Sequence, residues 1–136
     1  MRSITVPATE DATERITDFV NEELSQYDCP PKALFQIEVA IEEISVNIVS
    51  YAGLAEDADI EIRCDVLDDP LRVVVQFLDD GVPFDPLEKE DPDTSPEAIE
   101  QRIGGLGIFM VKQMMDSVSY AYENGKNTLT ILKHLA

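Results

Sequence analysis

The order of its apolar patterns is the feature that most narrows the folds open to this chain. Two long stretches with helical spacing come early, and shorter stretches with the two-residue alternation of β-strands follow them. Asn124-Gly125 separates the last two alternating stretches, which is a strong signal for a β-hairpin. Helices grouped apart from antiparallel strands predict an α+β fold, a two-layer α/β sandwich whose helices cover one face of a mostly antiparallel sheet.

The expected elements can be placed along the chain. A first strand covers about Ser3 to Val6, and Thr9 caps a helix that runs to about Gln26. The inner face of that helix is formed by Ala12, Ile16, Phe19, Val20 and Leu24. The later strands span Ile60 to Val66, Leu71 to Leu78, Val118 to Tyr122 and Asn127 to Lys133. A chain of 136 residues is long enough for one core and too short for two, so residues 1–136 are expected to form one domain.

The second helical stretch, which follows Pro30-Pro31, carries polar residues in an unusual position. One apolar face is formed by Leu34, Ile37, Ile41, Ile44 and Ile48, and a second stripe, nearly opposite, by Phe35, Val39 and Val46. Glu43 and Asn47 are four residues apart and share the strip between the two stripes. They form either a solvated polar strip or a carboxylate and an amide oxygen aimed into a site flanked by packed surface. Glu38, Glu42 and Ser45 lie on the other side, where we expect solvent.

Two glycine-containing segments are candidates for a binding site. Asp79-Asp80-Gly81-Val82-Pro83-Phe84-Asp85-Pro86 places an acidic residue at a strand end and a glycine in the following turn. Gly104-Gly105-Leu106-Gly107 runs directly into a stretch with Ile108, Val111 and Met115 at helical spacing. Glycines there let the backbone approach a ligand, and unpaired N–H groups at the helix start attract phosphate. An ordinary loop before a helix is the alternative reading of the second segment.

The stretch between these two segments is long, irregular and rich in proline and acidic residues. Loops of this length in a compact domain are usually lids or disordered, so a lid is expected at about residues 84–103. Lys89 and Arg102 are cations in it that could reach a phosphate, and solvated charges are the alternative for both. No Walker-type Gly-x-x-x-x-Gly-Lys motif occurs, so a nucleotide site here would be of another kind.

Composition narrows the class of protein further. The formal charge of −18 argues against direct binding of nucleic acid, whose phosphates would be repelled. Cys29 and Cys64 have no metal-binding spacing and are expected to be small apolar residues kept reduced. The start of the chain lacks a long apolar run, so we expect no signal peptide, no membrane span and a cytoplasmic location.

Taken in order, the helix with Glu43 and Asn47 and the two glycine-containing segments resemble the GHKL ATPase superfamily. That superfamily includes gyrase, MutL, the heat-shock chaperone ATPase and histidine kinases. The Asp-x-Gly-x-Pro-Phe-Asp-Pro and Gly-Gly-Leu-Gly-Ile boxes and the short chain are most similar to the anti-sigma factor serine kinases of the RsbW and SpoIIAB type. The resemblance covers nearly the whole chain and implies the Bergerat ATP-binding fold.

The resemblance implies a role for each matching residue. Glu43 matches the general base, and Asn47 matches the residue that holds Mg²⁺ through its side-chain oxygen. Asp79 matches the acid that accepts a hydrogen bond from the adenine amine, and Gly81 shapes the turn beneath the base. Thr128, in the last strand, matches a threonine that supports the adenine-binding aspartate.

The same resemblance assigns the phosphates of ATP to the second glycine segment. Gly105 and Gly107, with Leu106 between them, match the residues that admit the phosphates, and Arg102 adjoins them. Two departures stand out. Pro83 replaces a glycine of the wider superfamily, although proline is usual in the anti-sigma-like branch, and Ile103 stands where many relatives begin Gly-x-Gly-x-Gly.

The implied activity is that of a Mg-ATP-dependent serine/threonine protein kinase acting as an anti-sigma-like regulator. Its partner would be a STAS-type antagonist (anti-anti-sigma) protein, and a sigma factor and a homodimer stay open. The helix from Thr9 to Gln26 is the candidate docking surface, with Arg15 either a contact or merely solvated. Alternatives are a non-catalytic ATP-dependent binding switch, a vestigial site, and a detached histidine-kinase ATP-binding domain. Against the last stand the single histidine, His134, and the lack of room for a dimerising helix pair.

Overall fold

The described part of the chain contains an antiparallel sheet and the helices that cover it. The structure is a computed structural model that describes residues 2–51, 58–87 and 106–135. Its elements are β1 (Arg2–Pro7), α1 (Ala12–Leu24), α2 (Pro31–Tyr51), β2 (Asp59–Leu67), β3 (Arg72–Asp79), α3 (Leu106–Met114), β4 (Ser117–Glu123) and β5 (Lys126–His134). The predicted α+β class is therefore confirmed. Within these ranges, no helix has the length and apolar character needed to cross a membrane.

The sheet has five antiparallel strands in the order β1-β2-β3-β5-β4, with β3 at its centre. Phe77 of β3 lies opposite Ile62 on one side and Leu129 on the other, and all three are buried. Because side chains alternate between the two faces of a strand, Asp79 leaves β3 on the same face as Phe77. The core face of the sheet thus ends in a carboxylate.

The helices bury their apolar faces against this face of the sheet. All of the residues predicted for the inner face of the first helix are buried. In α2, Ile37, Ile41 and Ile44 are at most 1% exposed and belong to one apolar cluster with the strand residues. Full burial of one such side chain contributes about 1.5–3 kcal/mol relative to exposure. The packing therefore fixes the rotation of α2, and with it the direction of the strip that carries Glu43 and Asn47.

The β4–β5 hairpin has a tight turn at one end and hydrogen bonds to the end of α3 at the other. Asn124 and Gly125 have φ angles of 55° and 76°, so both adopt the left-handed conformation of a two-residue hairpin turn, as predicted. At the other end, Lys133 donates from Nζ to the carbonyl of Met114 (2.8 Å). Asp116 N donates to Leu132 O (2.9 Å), and Asp116 Oδ2 accepts from His134 N (2.7 Å). The C-terminal end of α3 is thus attached to β5.

Three details differ from the sequence-based expectations. The first helix begins at Ala12 with Asp11 at its N-cap and ends at Leu24, because Ala12 N donates to the backbone carbonyl of Thr9 and Thr9 makes no side-chain cap. Ser45 was expected in solvent but is 1% exposed, and its Oγ has no partner among the described residues. The second apolar stripe of α2 is not packed, since Phe35 is 64% and Val46 52% exposed.

Candidate functional site

The carboxylate at the end of β3 is anchored by only one of its oxygens. Asp79 is 3% exposed and lies between Ile60 of β2 and Asn127 of β5 in the sheet. Its Oδ1 accepts hydrogen bonds from Gly81 N (2.9 Å) and Asn127 Nδ2 (3.0 Å). Its Oδ2 has no hydrogen-bond partner in the described ranges. Because Oδ2 has no protein donor there, it is free to accept a hydrogen bond from a ligand.

Asn127 is the functional residue that sequence reasoning missed. Its Nδ2 also donates to Val82 O (2.8 Å), while its Oδ1 accepts from Phe84 N (3.0 Å) and from the Tyr120 hydroxyl. The amide therefore connects β5 with β3 and with the loop that follows it. One signal was present in the sequence. Asn127 falls at the inward-facing parity of Leu129 and Ile131, where a polar amide needs partners.

Tyr120 of β4 completes this hydrogen-bond network. Its hydroxyl donates to Asn127 Oδ1, and its oxygen accepts from Phe84 N at 3.2 Å. Burial raises the pKa of Tyr120, and the nearby charges of Asp85 and Asp79 raise it further. The phenol therefore keeps its proton, and its donor role, throughout the physiological pH range.

A pocket that opens to solvent lies beside this network. Its lining consists of Ile44, Asn47, Ile48, Asp79, Phe84, Pro86, Tyr120, Asn127 and Leu129. Most of these side chains are apolar or aromatic, and a few polar groups converge among them. That combination is typical of small-molecule sites. Asp79 with its unpartnered oxygen and apolar walls on several sides would suit a flat heterocycle that carries a hydrogen-bond donor.

The strip of α2 between its two stripes faces this side of the molecule. Asn47 lines the pocket, and Glu43 lies four residues earlier, about 6 Å along the axis. Glu43 contacts Gly107 in the first turn of α3. A Cβ built on Gly107 would lie 2.0 Å from Glu43 Oε2, so a side chain at this position would displace the Glu43 carboxylate. Of the two residues in the strip, Asn47 therefore lines the pocket and Glu43 lies against the first turn of α3.

The remaining predicted site residues are placed as follows. Gly81 is buried and donates its N–H to Asp79, so it belongs to the turn beneath the pocket. Leu106 is the first residue of α3, and Gly107 is the second. Gly105 and Arg102 lie outside the described residues, as do Lys89 and Ile103. Of the expected lid at 84–103, residues 84–87 are described, and Asp85 Oδ1 accepts from Leu87 N (2.8 Å) there.

Thr128 does not reach Asp79. It lies opposite Leu78 in the β3–β5 register, so its side chain leaves the sheet on the other face. The residue directly opposite Asp79 is Asn127, and its amide makes the supporting contact that the resemblance had given to Thr128. A shift of one residue along β5 separates the two assignments, and that shift reverses the face.

Comparison with known proteins shows which family the chain resembles. The family model described as histidine kinase-like ATPase domain matches residues 6–133. The serine-protein kinase RsbW of Listeria innocua is 33% identical over 100 residues, which is 69% of this chain and 62% of that protein. The serine-protein kinase RsbW of Bacillus subtilis is 28% identical over 102 residues, 73% of this chain and 63% of that protein. The chain thus spans less than two thirds of the length of these curated relatives.

A solved structure has the same fold. The crystal structure of the RsbU and RsbW domains of Rv1364c from Mycobacterium tuberculosis superposes with a TM-score of 0.68 at 18% identity, covering 99% of this chain and 33% of that one. This likeness concerns the fold. The match of the family model over residues 6–133 shows that the chain belongs to the histidine kinase-like ATPase domain family.

Proposed function

We propose that this protein is a cytoplasmic Mg-ATP-dependent serine/threonine protein kinase that acts as an anti-sigma-like regulator. One observation carries the proposal. Asp79 and Asn47 line a single pocket, and Glu43 lies one turn from Asn47, against the start of α3. A base acceptor, a hard oxygen ligand and a carboxylate therefore follow one another along one side of the molecule. The similarity to serine-protein kinases RsbW supports the same activity.

The pocket end of the site is suited to adenine. Asp79 Oδ2 would accept the hydrogen bond of the exocyclic amine, while Ile48, Phe84 and Leu129 contribute apolar contact to the ring. A hydrogen bond to a charged group contributes about 1.5–3 kcal/mol. Apolar walls with a single directional acceptor would orient the base and thereby set the direction in which the phosphates leave the pocket.

Asn47 is suited to the metal. Mg²⁺ prefers oxygen ligands and is usually held by one or two protein groups together with substrate phosphates and water. An amide oxygen that lines the pocket, one turn from a carboxylate, fits such a set. When bound, Mg-ATP would supply the transferable phosphoryl group and the neutralising charge. Gly105, Leu106, Gly107 and Arg102 are the residues that we propose for the phosphates.

Glu43 would act on the acceptor hydroxyl. Phosphoryl transfer depends mainly on positioning and charge neutralisation, with a carboxylate that orients the attacking hydroxyl and takes its proton. Glu43 lies at the α3 end of the site, away from Asp79, and is only half-buried, so a serine or threonine of a partner can approach it. We propose a STAS-type antagonist protein as that partner, a sigma factor as a second one, and a homodimer as the assembly.

Transfer of label from ATP to a STAS-domain protein encoded beside this chain tests the proposal. General-base assistance contributes about 10²–10⁴-fold in rate, so Glu43→Ala should reduce transfer at least 10²-fold while ATP affinity stays within a few-fold. Glu42→Ala, at the exposed neighbour on the same helix, is the matched control and should transfer at the wild-type rate.

The nature of the product separates the remaining functions. An acid-stable phosphate on serine or threonine would support the kinase. An acid-labile phosphate would instead indicate a histidine-kinase ATP-binding domain. If the wild type binds ATP and the STAS protein but transfers no label, the protein is an ATP-dependent binding switch and the kinase proposal is wrong.

A further inference from the structure

Asn127 is held in one orientation by its four hydrogen bonds. Its Nδ2 donates to Asp79 Oδ1 and Val82 O, and its Oδ1 accepts from Phe84 N and from Tyr120. A carboxylate and a carbonyl oxygen accept, whereas a backbone N–H donates, so a flipped amide would face a mismatched partner at Asp79, Val82 and Phe84. The amide is therefore a fixed donor toward Asp79.

This fixed donor determines what Asp79 can recognise. With Oδ1 engaged by Asn127 and by Gly81 N, the oxygen left for a ligand is Oδ2, and it has no partner among the described residues. A carboxylate oxygen accepts a hydrogen bond and cannot donate one. A purine with an amine at position 6 satisfies it, whereas a purine with a carbonyl oxygen there places two acceptors against each other.

The same amide also positions the loop beyond β3. It binds the carbonyl of Val82 and the N–H of Phe84, and Phe84 lines the pocket on the side of Pro86. Val82 is 58% exposed, so the loop is held by these backbone contacts and not by burial of its side chain at that position. One side chain therefore sets both the acceptor and part of the wall against which a base would lie.

We propose that Asn127 is the positioning residue that makes this site selective for 6-aminopurine over 6-oxopurine nucleotides. It acts through Asp79 and the 82–84 loop, because both atoms of its amide already have their hydrogen-bond partners. The proposal rests on the proposed nucleotide site. It goes beyond that site because it assigns base selectivity to Asn127, which lies outside the sequence motifs that resemble the family. Replacing the amide by a carboxylate, as in Asn127→Asp, would place two acidic groups at the 3.0 Å contact and force a shared proton between them.

The test compares ATP with ITP, which carries an oxygen in place of the 6-amine. Calorimetry on the full chain gives both dissociation constants, and wild type should prefer ATP by about tenfold or more, the effect of one well-placed hydrogen bond. In Asn127→Asp and Asn127→Ala this preference should fall to within about threefold, mainly through weaker ATP binding. Thr128→Ala, at the next residue but on the other face, should keep the wild-type ratio.

Two outcomes contradict the proposal in different ways. If the Asn127 variants weaken ATP and ITP equally and keep the ratio, Asn127 only supports the fold. If wild type does not bind ATP, or binds ATP and ITP alike, the nucleotide site itself is wrong. Tyr120→Phe keeps the amide and removes one of its donors, so it supplies a folded variant should the Asn127 variants unfold. Its ATP/ITP ratio should lie between those of wild type and Asn127→Ala.

Discussion

At the scale of single residues, the site depends on which atoms are already occupied. Asp79 offers a ligand one oxygen because the other is bound by its neighbours. Asn47, by contrast, lines the pocket on α2, and no contact in the described ranges engages its amide. The two residues can therefore be tested separately, since one is assigned to the base and the other to the metal.

Asn47→Ala should abolish the contribution of Mg²⁺ to ATP affinity. The reason is that the variant loses a hard oxygen ligand and no proposed contact to the base. Titrations of ATP with Mg²⁺ and with EDTA, on wild type and variant, measure the difference. Binding in EDTA should be unchanged within a few-fold. Gln36→Ala, on the same strip nearer the start of α2, is the control, and an equal Mg²⁺ effect in wild type and Asn47→Ala would remove Asn47 from the metal site.

Gly107→Ala should lower phosphate transfer with little loss of stability. The added Cβ would lie 2.0 Å from Glu43 Oε2, the end of a flexible side chain that can rotate away. Alanine is also favoured over glycine within a helix by about 0.8–1 kcal/mol, which opposes any cost of the displacement. Thermal unfolding and transfer assays on both proteins separate the two effects.

The same Gly107→Ala substitution in a Glu43→Ala protein tests whether Gly107 acts through Glu43. In Glu43→Ala the space is free, so Gly107→Ala should raise the stability of that variant and leave its residual transfer unchanged. If Gly107→Ala reduces transfer as much in the Glu43→Ala background as in wild type, Gly107 acts on the reaction independently of Glu43.

At the scale of elements, the β4–β5 hairpin fixes where Asn127 falls. Its turn places Asn124 and Gly125 in the left-handed region, so Lys126 pairs with Glu123 and Asn127 with Tyr122. The turn therefore sets the register between β4 and β5, and with it the face of the sheet on which each β5 side chain lies. In the β3–β5 pairing, Asn127 lies opposite Asp79.

Gly125→Ala should destabilise the protein by about 1–2 kcal/mol, the cost of left-handed backbone for a residue with a Cβ. Among the described residues, apart from Gly125 and its two chain neighbours, no heavy atom lies within 4 Å of the position that this Cβ would take, so the loss has no contribution from a clash. Urea unfolding measures it. Glu123→Ala, also exposed and just before the turn, is the control and should change the free energy of unfolding by less than about 0.5 kcal/mol. A Gly125→Ala protein as stable as wild type would contradict the argument from backbone strain.

The elements were predictable from the sequence because each has a strong local signal. Alternation marked β2 and β3, helical spacing marked the buried face of α1, and Asn124-Gly125 marked the hairpin. Two predictions that were wrong concern residues whose surroundings are determined by tertiary contacts. Ser45 is buried although its position on α2 reads as solvent-facing, and Asn127 rather than Thr128 meets Asp79. Local patterns do not determine which residue of one strand lies opposite a residue of another.

At the scale of the whole molecule, the reactivity of the Cys64 thiol depends on whether the sheet is folded. Cys64 lies in β2, 1% exposed, between the edge strand β1 and the central strand β3. Burial is the main cause that raises its pKa from 9.0 to about 12, and the charges of Glu23 and Asp65 contribute to the same shift. Since the folded pKa lies above the unfolded one, this thiol favours folding below pH 9, and that contribution is lost as the pH rises toward 12.

A thiolate-directed reagent at pH 8 should therefore modify Cys29 well before Cys64. The raised pKa alone reduces the thiolate fraction of Cys64 about 10³-fold relative to its unfolded state, and burial restricts access further. Rates measured separately on Cys29→Ser and Cys64→Ser proteins test this. Addition of urea should accelerate the labelling of Cys64 in parallel with global unfolding. Equal rates for the two cysteines in the native protein would show that β2 opens locally.

The attachment of α3 to β5 restrains only the C-terminal end of this helix. Hydrogen bonds of Met114 and Asp116 to β5 restrain one end of the helix, and Gly107 contacts Glu43 at the other. The nine residues of α3 extend about 13 Å at 1.5 Å per residue. A rotation of only about 10° around the restrained end would move the first turn by about 2 Å. That displacement is enough to separate Gly107 from the Glu43 carboxylate, so a small tilt of one short helix would decide whether the proposed base is confined or free.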